Sequence, residues 1–169
     1  MSLEASSFPS YWRNARQRTL RVLDHLPPDD LEWSPSPGKF SFGDLFRHLA
    51  GVERFVYAEC AAGRPIAYPG HHQELAPGLP ALRDYVGQLH SESLEIMSAL
   101  DPPDLSGTCL TPAGSPISLW KWFRAMGEHE AHHRGQLYLM LGLRNVAVPP
   151  LLGLTEEDLL ALSRGRASD

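Results

Sequence analysis

Eight histidines are spread through the 169 residues, and three of them stand where an amphipathic helix should place leucine. His129 and His133 are four residues apart, so on a helix they lie about 40° apart around the axis and one turn apart along it. Both fall at the centre of the apolar stripe set by Trp122, Met126 and Met140. His48, between Leu45, Leu49 and Val52, falls on the inward face of an earlier helix. A buried imidazole needs partners for its nitrogens, and two inward ones a turn apart can converge on one metal ion. A third histidine from a facing helix would complete a three-histidine set with positions left open for water or substrate, the pattern of catalytic rather than closed structural sites. Taken alone, His48 reads first as a core histidine bonded to a neighbour. The pair is harder to place without a ligand.

The polar neighbours have ordinary readings. Asp44, one turn before His48, either accepts that ring's other proton or serves the first turn of its helix. Glu130 lies about 100° from His129 at the stripe edge and reads as a solvated carboxylate. His132 reads as flank at a pocket rim, His71 and His72 as exposed loop residues, and Cys60 as a small core residue. His129-Glu130-Ala131-His132-His133 satisfies H-E-x-x-H, the zinc-protease pattern in which the glutamate is the general base. The extended form of that pattern fails, because Gln136 and Leu139 stand where it needs glycine and histidine. A strand-rich region to hold a peptide is also missing.

The prolines say which elements carry these residues. There are 15, and each costs a helix interior about 3 kcal/mol, so proline-free windows bound the long helices. The windows run over residues 10–26, 38–64, 81–101, 117–148 and from 151 onward. The first shows an apolar period at Trp12, Ala15, Thr19, Val22, Leu23 and Leu26. The second opens on Ser41 as N-cap and continues Leu45, His48, Leu49, Val52, Phe55 and Val56. The third gives Leu82, Tyr85, Val86, Leu89, Ser93, Ile96, Met97 and Leu100. The fourth opens at Ser118 and ends near Gly142, and a short fifth helix starts at Thr155. Only residues 108–111 read as briefly extended. The pattern predicts an all-α protein, an up-and-down four-helix bundle with a short C-terminal helix as lid or brace.

Length fits one domain over residues 1–169. With 15 Lys+Arg against 20 Asp+Glu the net charge is −5, which opposes a general nucleic-acid binder. Arg13, Arg16, Arg18 and Arg21 form a basic stripe that a solvated face explains. No apolar run approaches the roughly 18–20 residues that span a bilayer, and MSLEASSF lacks a signal peptide's apolar core. Two cysteines, Cys60 and Cys109, are too few for a disulfide scaffold. The expectation is a soluble cytoplasmic protein with no membrane and no nucleic-acid partner.

Three segments then carry a resemblance: residues 26–53 (LPPDDLEWSPSPGKFSFGDLFRHLAGVE), residues 129–143 (HEAHHRGQLYLMLGL) and the terminal PPLLGLTEEDL. Over nearly the whole chain the sequence resembles the DinB/YfiT-like family of bacterial four-helix-bundle metalloproteins. Carried onto this sequence, the family's metal triad falls on His48, His129 and His133, the positions that the helical stripes pick. The resemblance implies a bound divalent metal, commonly zinc or nickel, and a homodimer. The face carrying Trp12 and Trp120 is the expected dimer contact. Characterised relatives include enzymes that use a low-molecular-weight thiol for S-transfer or isomerisation, and others are described as metal-dependent hydrolases. Three neutral histidines leave a metal its full charge, enough to deprotonate a coordinated thiol or bring a bound water towards pKa 7. The expected function is a metal-dependent enzyme activating such a thiol against a small electrophile, with Arg134 a candidate for a cofactor carboxylate. The alternatives are a hydrolase of a small amide or ester, and a non-catalytic metal- or ligand-binding stress protein.

Overall fold

Four long helices and one short one make up nearly all the regular structure. The computed structural model describes residues 8–100, 105–148, 150 and 153–166. Helix α1 is Phe8–His25 and α2 is Phe42–Val52, which runs on without a break through a π-helical turn, Glu53–Ala58, and a last α-turn, Glu59–Ala61. Helix α3 is Gly78–Ser98 and α4 is Leu119–Leu143. Helix α5 is Glu156–Arg166. Pro9 and Pro80 sit in first turns, where the missing N–H costs nothing. In the bundle, α2 packs against α3 and α4, and α1 packs against α4 and α3. No helix among the described residues is long and apolar enough to cross a membrane.

The predicted stripes point inward as expected on α1, α3 and α4. On α2 the Ser41 cap is a full capping box. The Asp44 N–H donates to the Ser41 hydroxyl at 3.0 Å, and the Ser41 N–H donates to the Asp44 carboxylate at 2.9 Å, which satisfies two orphan donors reciprocally. Thr155 and Asp158 repeat the arrangement at α5.

Four expectations need correction. The extended stretch is half of a hairpin: β1 (Thr108–Leu110) pairs antiparallel with β2 (Pro116–Ser118), which proline at its first position had hidden. Among the described residues the apolar side of the C-terminal helix is not covered, since Leu159, Leu160 and Leu162 are each about half exposed. Trp12 is fully buried and cannot serve a dimer face, whereas Trp120 is exposed. The inward period of α2 breaks after Val52. A π-turn takes up an extra residue, so later side chains rotate back by about 100° relative to an unbroken α-helix. Phe55 and Val56 are therefore only half-buried, and Tyr57 and Ala58 face the core instead.

The core divides at mid-height. One apolar cluster joins Val22, Leu23, Phe42, Leu45, Leu49, Leu82, Val86, Leu137 and Met140; the other joins Trp12, Ala15, Tyr57, Ala58, Leu94, Met97, Trp122, Phe123 and Met126. On every long helix the residues between the two sets include polar ones: Arg16 and Thr19, Glu53, His90 and Ser93, and the stretch from His129 to His133. The bundle thus carries a polar layer across its middle.

Arg47 ties the connecting segments to this frame. Its buried guanidinium donates to the Ala76 carbonyl at 2.9 Å from Nη2 and 3.2 Å from Nε, and pairs with Glu32. Gly43 lies flat under that pair. A Cβ there would stand 2.7 Å from Arg47 Nη1 and 2.9 Å from both Glu32 carboxylate oxygens. Gly43→Ala is expected to cost about 1–3 kcal/mol through overpacking, read as a lower urea midpoint with an unchanged slope.

Candidate metal centre

His48 on α2 and His129 and His133 on α4 meet in the polar layer. One ring nitrogen from each lies within 4.8 Å of the other two. The His48 and His129 Nε2 atoms are 3.0 Å apart, so they must share one proton or one cation. Two imidazole nitrogens on a tetrahedral zinc would be about 3.3 Å apart at ordinary bond lengths. The ring centroids of His129 and His133 are 4.6 Å apart and those of His48 and His133 4.8 Å, each pair set edge to face.

The outer nitrogens are held. His48 Nδ1 lies 2.8 Å from the Tyr68 hydroxyl, and His133 Nδ1 lies 2.7 Å from the Gln136 amide oxygen. An amide oxygen only accepts, so His133 carries its proton on Nδ1 and turns an Nε2 lone pair inward. With Tyr68 accepting from His48, that ring does the same.

Electrostatics keeps the rings neutral. Burial lowers the His48 pKa to about 4, with His133 and His71 adding to the effect. Burial lowers His129 to about 3, helped by His133, His48 and Arg16. His133 is also lowered, again chiefly by burial, although Gln136 pulls the other way. At neutral pH the cluster is three uncharged donors with lone pairs free to converge. The donor set fits a divalent cation of borderline softness, such as zinc or nickel.

Aromatic rings close two sides. Phe40 stacks over His48 at 5.5 Å and meets the edges of His71 at 4.7 Å and His133 at 6.1 Å. On the far side Tyr57 lies 6.1 Å from His129 and 4.6 Å from Trp122. Tyr68 reaches His48 from the loop after α2 because Gly51 leaves room for it. A Cβ at Gly51 would stand 3.0 Å from Tyr68 Cε2. Tyr68→Phe is expected to weaken metal affinity about 10- to 100-fold, the usual cost of removing the partner of a ligand's outer nitrogen. Competition against a chromogenic chelator measures it.

The histidine triad is as the sequence pattern placed it, and its surroundings are not. Asp44 is spent on the helix cap, and Tyr68 takes the place beside His48 that it was a candidate for. His132 is exposed, its ring 4.9 Å from that of His133. His71, expected to be exposed, is half-buried against Phe40. Glu130 is not solvated. It is 2% exposed and paired with Arg16, Nη1 to Oε2, at 2.9 Å. Held there, it is unavailable as the general base of an H-E-x-x-H site. Arg16, one of the expected surface arginines, is 1% exposed. Arg134 stands one turn past Glu130, about 100° round α4 from His133, and its charge acts on the Glu130 carboxylate.

A family model described as the DinB superfamily matches residues 11–137. No curated protein matches the sequence. Among solved structures, a DinB-like protein from Bacillus cereus is similar at a TM-score of 0.68 and 20% identity, over 89% of this chain and 99% of that one. A DinB-like protein from Bacillus subtilis is similar at 0.61 and 16% identity, over 88% and 92%. At such identities the likeness is one of fold.

Proposed function

The chain belongs to the DinB superfamily, and from that premise we propose that it is a metal-dependent enzyme that activates a low-molecular-weight thiol for attack on a small electrophile. The observation that carries the reading is the convergence of three neutral imidazoles on one point, with the outer nitrogens of His48 and His133 already engaged. His48, His129 and His133 would hold a zinc or nickel ion. Such an ion supplies a positive charge that lowers the pKa of a thiol or water brought against it.

The chain's own residues do the rest. Gln136 fixes the tautomer of His133, and Tyr68 and Gln136 hold the angles of two of the rings. Phe40 and Tyr57 wall the site with apolar area, which excludes water and suits a small apolar substrate. Glu130 is buried against Arg16, so base catalysis by that residue has no part. The reading extends to a homodimer through an apolar face of Tyr11 and Trp120, both exposed beside Phe8 and Phe123, and sedimentation of the purified chain tests this.

The cobalt-substituted protein tests the activity. On adding mycothiol, bacillithiol or glutathione, a sulfur-to-metal charge-transfer band is expected. A spectrum that no thiol alters would overturn the thiol reading. Turnover of small amides or esters would then favour a hydrolase, and its absence a non-catalytic metal- or ligand-binding stress protein.

A further inference from the structure

The residue that organises the polar layer comes from α1, which supplies no histidine to the cluster. Arg16 is buried, and its guanidinium spans both histidine-bearing helices. Nη1 pairs with Glu130, the residue after His129, at 2.9 Å. Nη2 pairs with Glu53 and donates at 3.2 Å to the carbonyl of Leu49, the residue after His48. Glu53 is held from two further sides, by Trp12 Nε1 at 2.7 Å and by His90 Nδ1 at 2.8 Å.

The place where Arg16 meets α2 is the place where that helix changes pitch. The Leu49 carbonyl receives the N–H of Glu53, the first residue of the π-turn, and the Arg16 guanidinium besides. A side chain that enters a helix's carbonyl ladder is a recognised cause of such irregularity. Glu53, one α-turn after Leu49, faces Arg16, and beyond it the π-turn brings Tyr57 to face His129. An unbroken α-helix would carry Phe55 and Val56 inward instead.

We infer that Arg16 is a positioning residue for the histidine cluster: by gripping Leu49, Glu53 and Glu130 it holds the π-turn of α2 and fixes the spacing of His48 from His129. The inference rests on the reading of that cluster as a metal centre. Its physical basis is that the network is a poor way to gain stability. Two carboxylates and one guanidinium removed from water are commonly replaced by uncharged side chains at no loss. What such a network does supply is a fixed relative placement of the helices that carry its members.

Zinc affinity and folding stability, measured on the same variants, separate the two roles. The variants are Arg16→Met, Arg16→Lys and the neutral set Arg16→Met/Glu53→Gln/Glu130→Gln, with His129→Ala as reference. The neutral set is expected to match the wild type in urea while binding zinc about 10- to 100-fold more weakly, with an altered cobalt ligand-field spectrum. Arg16→Lys keeps the charge and loses the fork, so it is expected to weaken zinc as well. A wild-type zinc Kd in the neutral set, or in Arg16→Lys should the neutral set not fold, would overturn the inference. Wild-type zinc binding by His129→Ala would instead overturn the metal centre on which it rests.

Discussion

Replacing either His129 or His133 with alanine is expected to take the protein from one tightly held divalent metal per chain to less than about a tenth of that, with the helical content unchanged. The loss follows from geometry. Both rings sit one turn apart on α4 and converge with His48, so removing one leaves two donors and an opening in the layer. An outer partner alone is worth about 10- to 100-fold in affinity, and a ligand is worth more. The fold survives because the two apolar clusters lie above and below the histidines and include none of them. Metal analysis and far-ultraviolet circular dichroism on the same samples give both halves of the result.

The second large effect is on stability. Arg16→Met is expected to destabilise the protein by about 3–5 kcal/mol at neutral pH, a fall in Tm of roughly 6–20 °C for a chain of this size. The substitution removes the guanidinium that pairs with both carboxylates of the core, Glu53 and Glu130, which are 1% and 2% exposed. The pH dependence distinguishes this cause from loss of packing. Burial, the largest single influence, would raise the Glu53 pKa, but the Arg16 charge together with His90 and the Trp12 hydrogen bond outweighs it and holds the carboxyl below its usual value. A carboxylate whose folded pKa is depressed contributes stability that is present above its unfolded value, near 4.5, and lost as the pH falls through the folded one. In Arg16→Met that counter-charge is gone, burial dominates, and protonation of Glu53 relieves the defect. The gap between wild type and variant should therefore be widest near pH 7 and narrow towards pH 4. A gap that is constant with pH would mean that Arg16 acts through packing.

Some of this was legible because it follows from periodicity. The buried set on α1 (Trp12, Ala15, Thr19, Val22 and Leu23) repeats at the helical spacing, and the fourth proline-free window carries His129 and His133 on the same grounds. Proline placed the boundaries of the first three helices to within about a turn, while the fourth window overran its helix, which ends at Leu143. What was missed falls into two kinds. Tyr68 reaches His48 across 20 residues of sequence, and no local pattern marks a loop tyrosine as the partner of a helical histidine. The π-turn is likewise invisible to a fixed 3.6-residue period, which runs straight through it.

Arg16 and Glu130 are different, because a signal was present. Arg16 is four residues after Trp12 and three before Thr19, and Glu130 lies four after Met126 and three before His133. Both stand on the apolar stripe. Their charge suggested a solvated face, and their position, which is the better guide on a well-formed stripe, gave the buried layer. Facing charges on two such stripes are a pairing that a sequence alone can suggest.

X-ray absorption at the metal edge of the zinc-loaded protein tests the central claim most directly. The account predicts one zinc per chain with three imidazole nitrogens at about 2.0–2.1 Å and a light-atom donor from solvent completing the shell. Addition of a thiol should bring in one sulfur at about 2.3 Å. No zinc retained, a shell without histidine scattering, or a protein-derived sulfur ligand before any thiol is added would contradict it.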